Sequence, residues 1–129
     1  MMSPLDGIKV VDLTRYLAGP MTAMMLGDLG ADVDKVESLP AGDAARQSGP
    51  FASGESVYYM ASNRNKRSVA LDLRSQQGMD VLLRLIDDAD VFIENFRPGT
   101  AESMGLGAET LRSRNPRLIH VSISGFGNT

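Results

Sequence analysis

A mostly parallel α/β sheet with helices on both faces is the fold class this sequence predicts, and three observations carry it. Short β-rich runs recur along the chain, as in residues 8–13, 68–73, 90–96 and 118–123. Segments with helical spacing or helix punctuation lie between them. The first two runs are joined within about 30 residues, the length of a parallel crossover unit.

Each element has its own signal. Asp6-Gly7 opens the first strand, and Ala18-Gly19-Pro20 closes it. Pro20 suits the first turn of a helix, which runs over residues 21–29 until Gly30 ends it. Residues 31–37 (ADVDKVE) read as the second strand. Gly, Pro, Ala and Ser dominate residues 38–54, a long loop of the kind that is functional or mobile. A short helix over 55–62 and a basic turn over 63–67 lead into the third strand, 68–73. Ser75 is the N-cap of a helix reaching Asp88, with Met79, Leu82, Leu83 and Ile86 on one face. The fourth strand, 90–96, ends at Arg97-Pro98-Gly99; a weaker helix spans 108–114, and the fifth strand is 118–123. Residues 1–129 read as one domain, enough to bury a core. The glycine turn at 124–127 calls for a following helix or active-site loop, so the sheet reads as incomplete at its C-terminal end.

Composition narrows the function. A net charge of -3 argues against binding nucleic acid or an anionic membrane. The chain has no cysteine, hence no thiolate chemistry, and one histidine builds no metal centre, so no metal is expected. No apolar run approaches a membrane span and the start lacks a leader pattern, which makes a cytoplasmic protein the expectation.

Ligands of open parallel sheets bind at the carboxyl ends of strands, near helix N-termini. The segments that emerge there are 14–20, Arg74-Ser75, 95–99 and 124–127. Small residues in them allow close approach, and Arg15, Arg74 and Arg97 suit phosphate. The sequence argues against a dinucleotide site, because the first turn reads Leu17-Ala18-Gly19-Pro20, without the G-x-G-x-x-G spacing. The cluster 64–67 is a solvated turn, and His120, inside the fifth strand, reads as structural. Asp12, Asp72 and Glu94 sit in apolar strands, so at least one meets an arginine or a helix N-terminus.

Taken in order, the segments 4–20, 26–37, 42–43, 63–74, 89–99 and 104–127 resemble the N-terminal part of the family III CoA-transferases. That family includes formyl-CoA transferase, carnitine CoA-transferase and the α-methylacyl-CoA racemases. The resemblance implies a Rossmann-like domain that binds coenzyme A or an acyl-CoA as substrate, with a carboxylic acid as partner substrate, in an interlocked homodimer. Carried over residue by residue, the CoA contacts fall on Arg15, Tyr16, Leu17, Ala18, Leu71, Arg74, Asn95, Phe96 and Arg97. The arginines would pair with phosphates, and Leu17, Leu71 and Phe96 would pack on adenine or pantetheine. The family's catalytic aspartate falls beyond Thr129, so the resemblance implies no catalytic residue in 1–129 and no turnover from this chain alone; a racemase fragment and a non-catalytic CoA-binding protein are the alternative readings. Two departures stand out: Asp34 charges a strand expected to be buried, and Ser38 replaces a basic residue that holds CoA in formyl-CoA transferase. An uncovered fifth strand would also make the chain self-associate.

Overall fold

The computed structural model describes residues 2–127. Five strands, β1 (Lys9–Leu13), β2 (Asp32–Ser38), β5 (Lys66–Leu71), β6 (Val91–Glu94) and β7 (Ile119–Ser122), form one parallel sheet in the order β5-β2-β1-β6-β7. The first crossover is α1 (Ala18–Asp28). After β5 come α3 (Gln76–Asp87), then α4 (Thr100–Ser103) and α5 (Ala108–Arg114) on either side of a turn. Alternation along the strands divides the core in two. On one face Ala23 and Leu26 of α1 pack with Val10, Val33 and Ile93. On the other, Leu82 and Ile86 of α3, Ala101 of α4 and Leu111 of α5 pack with Val11, Leu13, Val36 and Phe92. Helices therefore cover both faces, as the sequence predicts. Among the described residues no helix is long and apolar enough to cross a membrane.

The differences from the sequence reading are local and have physical causes. The third strand begins at Lys66 rather than Ser68, because Lys66 stands in register with Val33 and turns its side chain inward. Residues 38–54 are not one open loop. A 3-10 turn (Ala44–Gln47) capped by Asp43 is followed by a two-stranded hairpin, β3 (Phe51–Ala52) with β4 (Glu55–Ser56), and then by α2 (Val57–Ala61). The fourth and fifth strands are shorter at both ends than periodicity suggests. Ser75 does cap α3, accepting from the Gly78 amide at 3.0 Å.

Asp34 is not the buried charge of β2. Its side chain is 22% exposed and accepts from Arg67 Nε at 2.9 Å across the edge of the sheet. Buried instead are Glu37 and, next to Asp34, Lys35, with 1% of its side chain exposed. Around it the α1 face becomes polar towards the carboxyl end of the strands. Lys35 Nζ lies 2.9 Å from Asp43 Oδ2 and donates to the Thr14 carbonyl at 2.9 Å. Asp12 pairs not with an arginine or a helix N-terminus but with Lys66 Nζ at 2.8 Å, whose stem reaches across β2 and which also donates to Pro20 O and Asn63 Oδ1. Burial pulls Lys66 below the ordinary lysine range, and Asp12 opposes this. Glu94 accepts from the Phe96 amide at 2.8 Å, while Asp72 lies outside the strand, exposed, and accepts from the Arg74 amide.

Glu37 ties the intervening segment to the sheet. It takes hydrogen bonds from Arg46 through both oxygens, from the Tyr59 hydroxyl, from Ser68 and from the Asp43 amide. Burial pushes its carboxyl up, but these donors outweigh burial and hold it well below the ordinary range. Tyr59, stacked on Arg46 at 3.8 Å, is kept protonated by burial and by Glu37.

Two outcomes follow. A Cβ on Gly78 would lie 2.0 Å from the Asp72 carbonyl oxygen. Gly78→Ala should therefore destabilise by about 1–3 kcal/mol in urea unfolding, although alanine is about 1 kcal/mol the better helix former; a stabilised variant would refute the packing argument. The second concerns acid. Glu37 has a folded value below its ordinary 4.5, so its contribution is complete above that pH and is lost as pH falls below it. The stability gap between the wild type and Glu37→Gln should narrow steadily as pH drops below 4.5; a gap that does not change would contradict the network.

Candidate functional site

The strand order places a switch point between β1 and β6: chain from β1 crosses over one face through α1, while β6 is reached over the other through α3. Strand ends diverge at such a point and leave a crevice. Here it is a cleft of about 600 Å3 walled by Ala18, Asn95, Phe96, Arg97 and Pro98, and by the turn after β7. α1 starts directly above it. Gly19 is needed there because a Cβ would stand 2.3 Å from Thr14 Cβ, so the helix begins in contact with the end of β1. Leu17, at the N-cap, makes no side-chain cap, so the first turn keeps its amide donors free of one.

The residues that the sequence nominated fall into two groups. Arg15, Ala18, Asn95, Phe96 and Arg97 meet at the crevice. The Arg15 guanidinium lies over the Phe96 ring at 5.6 Å. Asn95 uses its whole amide on Arg15, accepting from its N–H at 2.9 Å and donating to its carbonyl at 2.8 Å. This stitches the ends of β1 and β6 together. Arg97 is exposed, followed by Pro98 and by Gly99, whose φ of 84° opens α4. Tyr16 and Leu17 are exposed on the turn beside the crevice, Tyr16 with φ 67°.

Leu71 and Arg74 stand apart, at the end of β5, three strands from β6 and so roughly 14 Å away at about 4.8 Å per strand. Arg74 and Asp72 border a shallow hollow of about 280 Å3 with Leu39 and Pro40, and Leu71 O accepts from Leu39 N at 2.9 Å. A single compact ligand cannot touch both groups, whereas an elongated one laid across the strand ends can.

Two other concavities differ in character. A groove of about 470 Å3 lies at the amino ends of β1 and β2, but most of its charges are engaged with one another, Arg67 with Asp32 and Asp34, and Lys9 with Asp88. A cavity of about 200 Å3 behind Phe96 and Arg97 contains His120. That ring packs on Phe92 at 5.3 Å, and its Nε2 is buried without a hydrogen bond, 3.8 Å from Glu94 Oε1. Burial holds His120 below the ordinary histidine range, with Glu94 opposing.

Reasoning from the sequence missed Lys35, Asp43, Lys66 and Tyr59. A lysine inside an interior parallel strand was the available signal, since such strands are apolar on both faces. Its partners Asp43, Thr14 and Tyr59 lie 8, 21 and 24 positions away, and only the fold brings them together.

Known proteins share this architecture and sequence. Succinyl-CoA:glutarate CoA-transferase of Homo sapiens is 47% identical over 129 residues, covering 99% of this chain and 30% of the human protein. A probable fatty acyl-CoA transferase of Mycobacterium tuberculosis is 48% identical over 127 residues, 96% of this chain and 32% of the relative. The crystal structure of a CAIB/BAIF family protein from Brucella suis superposes with a TM-score of 0.93 at 48% identity, over all of this chain and 35% of that one. The chain thus spans about a third of the length of the relatives it matches. The family model described as CoA-transferase family III matches residues 5–129, and with the Rossmann-like sheet and strand-end crevice it defines what this molecule is: a member of CoA-transferase family III.

Proposed function

We propose that the carboxyl ends of β1, β5 and β6 bind coenzyme A, and that the chain serves a CoA-transferase moving CoA between carboxylic acids. The observation that carries the reading is the placing of three arginines, which make no ion pair among the described residues, beside two hollows along one strand end. Arg15 and Arg97 flank the crevice and Arg74 borders the hollow at β5. CoA is elongated, with phosphates near its nucleotide end and a pantetheine arm, and so matches separated cationic stations joined by apolar surface. In this reading the arginines pair with phosphates, while Leu17, Leu71 and Phe96 pack on adenine or pantetheine. Asn95 acts through Arg15, whose main chain it holds. Tyr16 and Ala18 line the approach. Residues 1–129 act as a CoA-binding domain, and no catalytic residue is assigned within them.

The relatives described above carry transferase names, which favours transfer over epimerisation. A cytoplasmic location and a homodimer belong to the same reading. Support for association comes from α1, where Leu17, Met21, Met25 and Leu29 form an exposed stripe at four-residue spacing, and from Ile119 on the edge strand β7, 59% exposed.

Calorimetric titration tests the ligand. CoA should bind and adenosine, which lacks the phosphates, should bind far more weakly, and Arg74→Ala or Arg97→Ala should each weaken CoA by roughly tenfold. Binding of CoA by both variants as tight as by the wild type would refute the phosphate assignment. Light scattering tests association: the chain should run as a dimer or larger at micromolar concentration, and a compact monomer would defeat that part of the reading.

A further inference from the structure

The main chain at the end of β1 is held by side chains at every polar group along three consecutive residues, up to the Tyr16 amide. Thr14 N donates to Asp12 Oδ1 at 2.9 Å, and Thr14 O accepts from Lys35 Nζ at 2.9 Å. Asn95 takes both the N–H and the carbonyl of Arg15. Tyr16 N donates to Asp43 Oδ1 at 3.2 Å. Two of these holds come from one buried pair, for Lys35 and Asp43 each expose 1% of their side chains. Their contact is ionic: Asp43 Oδ2 lies 2.9 Å from Lys35 Nζ, in an orientation that does not make it a hydrogen bond.

A buried pair of this kind contributes little net stability, since desolvating two charges offsets most of their attraction. Its effect is geometric. Tyr16 has a φ of 67°, a conformation disfavoured for a side chain with a Cβ, and needs an outside grip. Asp43 supplies that grip at the Tyr16 amide, and Lys35 aligns Asp43 while holding Thr14. Asp43 is itself fixed: its amide donates to Glu37, and its Oδ1 also caps the 3-10 turn at Ala45. A chain of contacts thus runs from the segment after β2, through the pair, to residues 14–16.

We propose that Lys35 and Asp43 are positioning residues of the strand-end site, fixing the main chain of residues 14–16 and so the direction in which Arg15 and Tyr16 face the ligand. The identity of that ligand rests on the CoA reading; the geometry does not.

Two readouts keep the two claims separate. Lys35→Met combined with Asp43→Ala removes both grips without leaving an unpaired buried charge. In amide exchange followed by NMR, the Tyr16 amide should exchange at least roughly tenfold faster, while amides of α3 and β6 keep their protection. In calorimetry CoA should bind roughly tenfold more weakly to the folded variant. Exchange that rises equally throughout the sheet, or a Tyr16 amide as slow as in the wild type, would overturn the proposal. Undiminished CoA affinity would overturn it as well. Should the double variant fail to fold, Lys35→Met with Asp43→Leu, which also removes both grips but fills the space the carboxylate leaves, is read by the same criteria. If the wild type itself binds no CoA, the ligand reading falls and the Tyr16 amide alone decides the positioning claim.

Discussion

Lys35 puts a charge where interior parallel strands ordinarily carry valine or isoleucine, and half of the sheet is organised by the need to neutralise and solvate it. The ammonium finds a carbonyl just past β1, a carboxylate from the segment after β2 and the face of Tyr59 at 5.9 Å. Each requirement constrains a different piece of chain. The carbonyl is Thr14, so β1 must end where it does. The carboxylate is Asp43, so the crossover from β2 to β5 must fold back over the sheet instead of forming a plain helix. Glu37, Arg46 and Tyr59 then close that fold-back from above.

The sheet is consequently two different materials side by side. From β1 towards β7 the α1 face is apolar, with Ile93 and Val121 continuing the row that holds Asp12 and Lys35. From β1 towards β5 the same row is Asp12, Lys35 and Ser68. The crevice lies along the seam. One wall is set by ordinary packing of Phe92 and Ile93 beneath the turn at 95–99, and the other by hydrogen bonds to buried charge. Asn95 joins the walls by clamping Arg15.

What the sequence made legible was local. The β-rich run of β1, the apolar face of α3 with its Ser75 cap, and the span of α5 all follow from neighbours within a turn or two. Site segments were legible for a related reason: in a parallel sheet, knowing where strands end fixes which loops share an edge. The holds on those loops were not legible. Asn95 reaches Arg15 across 80 positions and Lys66 reaches Asp12 across 54. Nor does composition reveal that residues 38–54, rich in glycine and proline, form a turn and a hairpin, because their order comes from Glu37 and Ser56 beneath them rather than from their own propensities. Asp34 and Lys35 show the limit most clearly. Adjacent charges in one strand point to opposite faces, and only the neighbouring strands decide which is sheltered.

The burial of lysine has a chemical corollary. The chain has three lysines, ten arginines and no cysteine. Lys35 and Lys66 are enclosed, and Lys9, at the far end of β1 from the crevice, is held in its protonated form by Asp88. Among the described residues the strand ends therefore offer no thiolate and no unpaired lysine amine. Cationic recognition there falls wholly to guanidinium groups, which pair with anions and stay protonated. A surface so built meets an anion with flat, forked donors rather than with a compact point charge.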